Sequence, residues 1–281
     1  MRLYFAGNVT SESERFFVAA GLKHRLMSFA DIDSWAHNAF EYWVNECTLP
    51  RFFLDSGAFG ALTRGATIDL QRYCEYITQH SERLDPYACL DVIGDWRGSA
   101  RNYDVMLEKG LHPVPTYHMG SPDHELRRLL RLTDYLALGG VVGAQENEMR
   151  PWLDRCFRTI KDFWPKKIHV FGVMAQWTLE RYPFYSADSS GAFVGAGMGR
   201  VSVFEQGKII ARPWVEYART TYDGSVMDGV SQYAAKKGSA HRGRSLLNIQ
   251  AQLQLQRHIT DVWKYRGITW EEQPCAVSTA P

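Results

Sequence analysis

The decapeptide Arg51–Gly60, RFFLDSGAFG, decides how this chain is read. Three bulky apolar residues, Phe52, Phe53 and Leu54, run into Asp55, and Ser56-Gly57-Ala58-Phe59-Gly60 then turns the chain. A short apolar run bounded by glycine has the signature of a strand buried on both faces, as in a parallel sheet. The acid stands where that strand stops, beside glycines that let backbone approach a ligand closely. Asp55 has two candidate tasks there. It can cap the turn, as Asp next to Gly commonly does, or it can do chemistry.

Working outward, similar runs recur at Leu3–Ala6, Arg25–Phe29, Tyr87–Leu90, Pro113–Tyr117, Tyr135–Leu138, Ile168–Phe171 and Phe184–Ala187, which with Phe52–Leu54 predicts eight strands. Helical patterns fill the gaps. Ser11–Ala20 opens with a Ser-x-x-Glu capping box. Asp33–Cys47, Asp69–Arg83, Ser99–Lys109, Gln145–Phe163 and Gln176–Arg181 follow, and Pro122–Leu132 starts with Pro in its first turn. Strands alternating with helices in this way predict an α/β fold, a (β/α)8 TIM barrel over residues 1–200. An open doubly wound sheet would carry GxGxxG after its first strand, and Gly7-Asn8-Val9 is not that motif. Residues 201–281 read as a C-terminal helical extension packed on the barrel, with a helix over Ser245–Tyr265.

At 281 residues and 45% hydrophobic content the chain has ample material for a core. Its net charge of +1 hides an asymmetry. From Arg200 onward there are 11 Lys and Arg against 7 Asp and Glu, whereas the first 199 residues carry 21 against 24. An anionic partner is therefore favoured at the tail. The five cysteines include no CxxC or CxC pair, which argues against a disulfide framework or a thiolate zinc site. No stretch is long and apolar enough to span a membrane, and the N-terminus lacks a signal-peptide core. A soluble intracellular protein, cytoplasmic in location, is expected.

The strand ends read Gly7-Asn8, Asp55-Ser56-Gly57, Asp91, His118, Gly139-Gly140, Gly172 and Asp188-Ser189-Ser190. In a barrel these ends gather on one face, where barrel enzymes do their chemistry. Two carboxylates, Asp55 and Asp188, give a route to glycosyl transfer, one as nucleophile and one moving a proton; the same pair also describes a magnesium site. Asp91, His118 and the backbone of Gly139 and Gly140 offer donors and acceptors for the edge of a purine-like base. Phe59 and Phe171 can lie on its two faces. Core packing competes for each Phe, and a hydrogen-bonded interior position competes for His118.

These residues carry a resemblance. Asp55-Ser56-Gly57-Ala58-Phe59 resembles the DSGG-aromatic motif of the tRNA-guanine transglycosylases (queuine tRNA-ribosyltransferases). Ala137-Leu138-Gly139-Gly140-Val141 resembles their base-recognition loop, and His169-Val170-Phe171-Gly172-Val173 with Ser186-Ala187-Asp188-Ser189 is similar to their Met-Gly-Val-Gly run and nucleophile strand. The resemblance covers about Arg51 to Arg200 in consistent order. It implies Asp188 as nucleophile at C1′, Asp55 as general acid/base, and Ser56 in the substrate site. It also implies base contacts from Asp91, Gly139 and Gly140, with Phe59 and Phe171 around the base. The chain departs from the tRNA enzymes at His118, where they carry Gln, and it lacks their Cys-x-Cys-x2-Cys zinc cluster. Those departures are closer to the phage branch that exchanges guanine for 7-deazaguanines in DNA. The resemblance thus implies DNA and a free base as partners, no cofactor and no metal, in the host cytoplasm if phage-encoded.

Lys236, Lys237, Arg242 and Arg244 form a basic stretch without an acid, expected to be a flexible loop and either a solvated surface or a phosphate contact. Arg200, just after the nucleophile strand, is expected beside a flanking phosphate. Three other readings stand against DNA base exchange: the same exchange on tRNA, a catalytically silent nucleic-acid-binding barrel, and a metal-dependent barrel hydrolase. The last would usually show an early His-x-His, which is absent.

Overall fold

Each of the eight apolar runs overlaps a strand in the computed structural model, which describes residues 1–7, 9–33, 37–47, 52–220 and 239–270, although the run at Tyr87–Leu90 shares only Tyr87 with its strand. They are β1 (Arg2–Ala6), β2 (Arg25–Ser28), β3 (Phe52–Asp55), β4 (Leu84–Tyr87), β5 (Thr116–His118), β6 (Tyr135–Gly139), β7 (Lys167–Val170) and β8 (Ser186–Ser189). They pair in the order β4-β3-β2-β1-β8-β7-β6-β5, and every pairing is parallel. The two end strands meet through a single parallel bridge, Ala88 to Val114, where Val114 N–H donates to Tyr87 O at 2.8 Å and Cys89 N–H to Val114 O at 2.9 Å. The sheet thereby curls into an α/β (β/α)8 barrel. This seam is short for a local reason. Pro113 and Pro115 flank Val114 and have no N–H to give to a ladder, so β4 and β5 run out of register with the predicted Tyr87–Leu90 and Pro113–Tyr117.

Helices follow the strands as α1 (Ser11–Ala19), α2 (His37–Glu41, continued by a π turn over Tyr42–Glu46), α3 (Ala58–Thr63), α4 (Leu70–Gln79), α5 (Trp96–Glu108), α6 (Asp123–Leu132), α7 (Glu146–Ile160), α8 (Gln176–Arg181) and α9 (Gly191–Gly197). The expected capping box of the first helix does not form. Thr10 is the cap, accepting from Ser13 N–H, and Glu14 turns inward to pair with Arg25 at 2.6 Å, both side chains fully buried. Arg25 also donates to the carbonyls of Phe5 and Gly7, so the buried charges are paired and their remaining donors satisfied. Pro122 stands at the cap of α6, one position before its first turn.

Side chains alternate across the strands. Leu3, Phe5, Met27, Leu54, Leu138 and Ile168 face the helices and join two large outer clusters. Tyr4, Leu26, Phe53, Ala88, Val114 and Ala137 form a third cluster that fills the barrel interior. Each fully buried large apolar side chain contributes about 1.5–3 kcal/mol from area removed from water.

Beyond the barrel the chain forms a hairpin that the sequence reading did not foresee: β9 (Arg200–Glu205) and β10 (Lys208–Pro213), antiparallel about a Gln206-Gly207 turn in which both residues have positive φ. After α10 (Trp214–Thr220), a long helix α11 (Ser239–Tyr265) packs back on the barrel. Asn248 fastens it, accepting from Ser202 N–H at 2.5 Å and donating to Ala192 O at 2.8 Å. Gln256 Oε1 accepts from Leu3 N–H at 2.9 Å, and Trp263 Nε1 donates to Leu179 O at 2.8 Å. α11 begins at Ser239, not Ser245, so Arg242 and Arg244 are helical and not part of a loop. Among the described residues no helix is long and apolar enough to cross a membrane.

Candidate active site

The turn after β3 is built around a glycine with no alternative. Gly57 has φ +76°, and a Cβ there would fall 2.1 Å from Ser28 Oγ and 2.6 Å from Ala30 Cβ. This close approach folds Gly57 N–H back to Asp55 Oδ2 at 3.1 Å. Asp55 therefore does brace the turn, and its carboxyl still lies among other acids. Recessed at the strand end, it is pushed up to about 7 by burial first, then by the negative charges of Asp188 and Asp91, against the pull of the Gly57 and Ser56 amides. Ser56 is buried, and its Oγ faces Ala58 N–H at 3.4 Å, so it holds the turn. Phe59, in the first turn of α3, is 56% exposed.

Asp188 is different. It stands on β8, 6% exposed, and one oxygen, Oδ1, accepts from Gly172 N–H at 2.9 Å and lies 3.2 Å from His169 Nε2. The imidazole is wholly buried; its Nδ1 lies 2.8 Å from Ser186 Oγ, which lies 2.7 Å from the Tyr135 hydroxyl. Phe171 packs edge-on against the His169 ring, with centroids 4.5 Å apart, and against Phe53 at 5.7 Å. Phe171 thus belongs in part to the interior core, and Phe59 is the freer of the two aromatic rings.

Opposite them, His118 Nε2 lies 3.3 Å from Asp91 Oδ2. Burial pulls the His118 imidazole down, but the hydrogen bond and charge of Asp91 outweigh it and hold it above the ordinary value. The other oxygen, Asp91 Oδ1, is buried with no hydrogen-bond partner. A Cβ on Gly139 would fall 2.8 Å from Thr116 Cγ2 and 3.4 Å from His118 Cδ2, and Gly140 has φ +74°. These glycines therefore let β6 close against His118. The Gly139 carbonyl already accepts from Met119 N–H at 3.0 Å.

The basic residues divide. Arg200 opens β9 and is exposed. Arg242 pairs with Glu12 at 2.9 Å and lies over the Phe16 ring, and Arg244 Nε donates to Ala196 O at 2.8 Å. Both fix the first turns of α11 to α1 and α9, which corrects the expectation of free cations in a flexible segment. Lys236 and Lys237 lie outside the described residues, as does Asn8. Among the described residues no group of three or more His, Cys, Asp or Glu is arranged to hold a metal ion.

His169, Ser186 and Tyr135 were not singled out as site residues from sequence. A signal was present in the two-residue alternation, which puts Asp188 and Ser186 on one face of β8 and His169 and Phe171 on one face of β7. A histidine inside an apolar strand run, in register with Ser186, marks a buried polar network. A scan of protein-family models finds no match to the chain, and a search of curated proteins finds no relative.

Proposed function

We propose that this protein is a DNA-guanine transglycosylase, a pentosyltransferase that replaces guanine in DNA by a 7-deazaguanine through a covalent Asp188–deoxyribosyl ester. The observation that carries the reading is the unequal treatment of two carboxylates at one barrel mouth. Asp188 Oδ1 accepts from Gly172 N–H and lies 3.2 Å from His169 Nε2, whereas Asp55 is crowded by negative charge and titrates near neutrality. A carboxyl that titrates near neutrality suits proton transfer, and a carboxylate held by an N–H contact at a strand end suits nucleophilic attack.

In this chemistry a lone pair of Asp188 forms a bond to C1′ as the C1′–N9 bond breaks, and the bonding electrons leave on N9 of guanine. Asp55, protonated for a substantial fraction of molecules near pH 7, gives its proton to the departing base. The incoming base then gives its N9 proton to Asp55 and attacks C1′, and the Asp188 carboxylate is released. Asp91 Oδ1, a buried acceptor without a partner, suits the N–H edge of a purine, and His118 holds the other Asp91 oxygen in place. Phe59 has the exposure to stack on the base. The likeness of the Asp55, Gly139 and Asp188 segments to the guanine transglycosylases supports the same assignment, and the absence of their zinc motif favours DNA over tRNA.

The test is incubation of the protein with radiolabelled guanine and either duplex DNA or tRNA. Label in DNA supports the proposal. Label in tRNA alone would move the same chemistry to tRNA, and no label in either would return the barrel to a binding role.

A further inference from the structure

With Asp188 ionised and His169 neutral, the buried polar chain behind Asp188 has one self-consistent arrangement of protons. An ionised carboxylate has no hydrogen to give, so the His169 Nε2 that faces Asp188 Oδ1 at 3.2 Å must carry one. A neutral imidazole protonated at Nε2 has an acceptor at Nδ1, and the atom facing Nδ1 at 2.8 Å is the Ser186 hydroxyl, which can donate. The Ser186 oxygen in turn accepts from the Tyr135 hydroxyl at 2.7 Å. Burial holds that tyrosine well above its ordinary value, so its proton is always present to start the chain. Every donor then has an acceptor. The ring itself is confined by Tyr4, Phe53 and Phe171 at centroid distances of 6.1, 4.9 and 4.5 Å, and it has no exposed surface.

The two donors that reach Asp188, His169 Nε2–H and Gly172 N–H, converge on the same oxygen. Oδ2 receives no hydrogen bond from a described residue. We infer that His169 is a positioning residue for Asp188: the Tyr135–Ser186 hydroxyl chain fixes its Nε2–H tautomer, and that N–H with the Gly172 amide pins Oδ1 and leaves Oδ2 as the oxygen that attacks C1′. The assignment rests on the transglycosylase reading for its chemistry, though not for its geometry. Oδ2 supplies the electron pair for the new C–O bond, Oδ1 keeps its two hydrogen bonds in the ester as a carbonyl oxygen, and the C1′–N9 pair leaves with the base. His169 neither gains nor loses a proton during the cycle.

Two measurements on the full chain test this. Nitrogen-15 NMR of histidine-labelled protein at pH 7, with the His169 signals assigned among the nine histidines by their loss in His169→Gln, should show a protonated Nε2 and a bare Nδ1. Ser186→Ala, which removes one hydroxyl and leaves the ring in place, should turn that single tautomer into a mixture. A wild-type ring protonated at Nδ1, or an unchanged ring in Ser186→Ala, overturns the inference. In guanine exchange, His169→Phe should lower kcat by about 100-fold, the cost of a slightly misplaced reacting atom, with KM within about twofold. His169→Gln, whose amide can restore one N–H toward Oδ1, should recover at least about tenfold of that loss. Equal losses in the two variants, or a loss carried by KM, also overturn it. Absence of any exchange beside the expected tautomer pattern would sink the transglycosylase reading and leave the placement of Oδ1 standing.

Discussion

Asp55 and Asp188 are the same residue type at corresponding ends of two strands in one barrel, and their surroundings treat them oppositely. Asp188 accepts from the Gly172 amide and sits in front of a buried imidazole–hydroxyl chain. Asp55 has the turn amides of Gly57 and Ser56 and otherwise faces the charges of Asp188 and Asp91. Strand position alone therefore does not assign roles to acids on a barrel rim. The neighbouring strands do, because they decide whether an acid is met by hydrogens or by negative charge.

Removing each acid is the strongest way to break the comparison. Asp188→Ala should reduce exchange by about 10⁴-fold or more, as loss of a covalent nucleophile does, while far-UV circular dichroism stays that of the wild type. A denaturation-resistant protein–DNA adduct should disappear with it. Near-normal turnover by this variant would remove Asp188 from the chemistry. Asp55→Asn should slow both formation and resolution of the adduct, each by about 10²–10⁴-fold, because the amide can neither protonate the departing base nor accept the proton of the incoming one. Adduct formation at the wild-type rate in this variant would remove Asp55 from the first step.

Stability sharpens the contrast without any substrate. Because the folded Asp55 carboxyl titrates near 7 and the unfolded one near 3.8, the folded state binds more protons between those values, so the wild type loses stability as pH rises through that window. Asp55→Asn should escape this loss and exceed the wild type by about 2–4 kcal/mol at pH 8, with little advantage at pH 4. Urea unfolding at the two pH values checks it, and a pH-independent difference would contradict the assigned shift. Asp91→Asn should act on binding more than on rate, raising KM for the free base by about 10–100-fold through one lost charged hydrogen bond. The smallest effect is expected at the tail. Arg242→Ala should lower the urea midpoint only slightly, since its partner Glu12 is largely exposed, and should leave the salt dependence of DNA binding unchanged. A flatter salt slope would restore Arg242 to a phosphate.

Much of this architecture was legible because a strand buried on both faces writes itself as an uninterrupted apolar run. Phe52–Leu54 and Tyr135–Leu138 were placed to within a residue at each end. The runs at Tyr87 and Pro113 were misplaced because proline donors are missing at the seam, an effect that depends on a partner strand far away in sequence. Glu14 looked like a cap because Ser-x-x-Glu is a local pattern, and only the fold brings Arg25 beneath it. Asp55, Asp91 and Asp188 stood out as acids at strand ends. His169 did not, because its importance comes from register: a histidine inside an apolar run hints at a buried polar contact, but only the ladder names Ser186 as its partner. Arg242 and Arg244 read as a loop because Gly238 and Gly243 flank them, whereas Gly243 is buried in α11, where tertiary packing overrides its weak helix propensity.

The hydrogen bond from Leu3 N–H to Gln256 bears on the order in which this protein can be completed at the ribosome. It joins residues 253 apart, and β1 lies in the middle of the sheet between β2 and β8. At about 5–20 residues per second, the first strand waits roughly 13–50 s for the side chain that accepts from it. Until Ser186–Ser189 has been made β1 lacks β8 on one side, and until Gln256 it lacks α11 as well; an incomplete sheet with apolar faces is open to the wrong neighbours. Completion of this barrel is therefore a late event on the nascent chain, and chaperone occupancy of the emerging sheet should persist until α11 has been made.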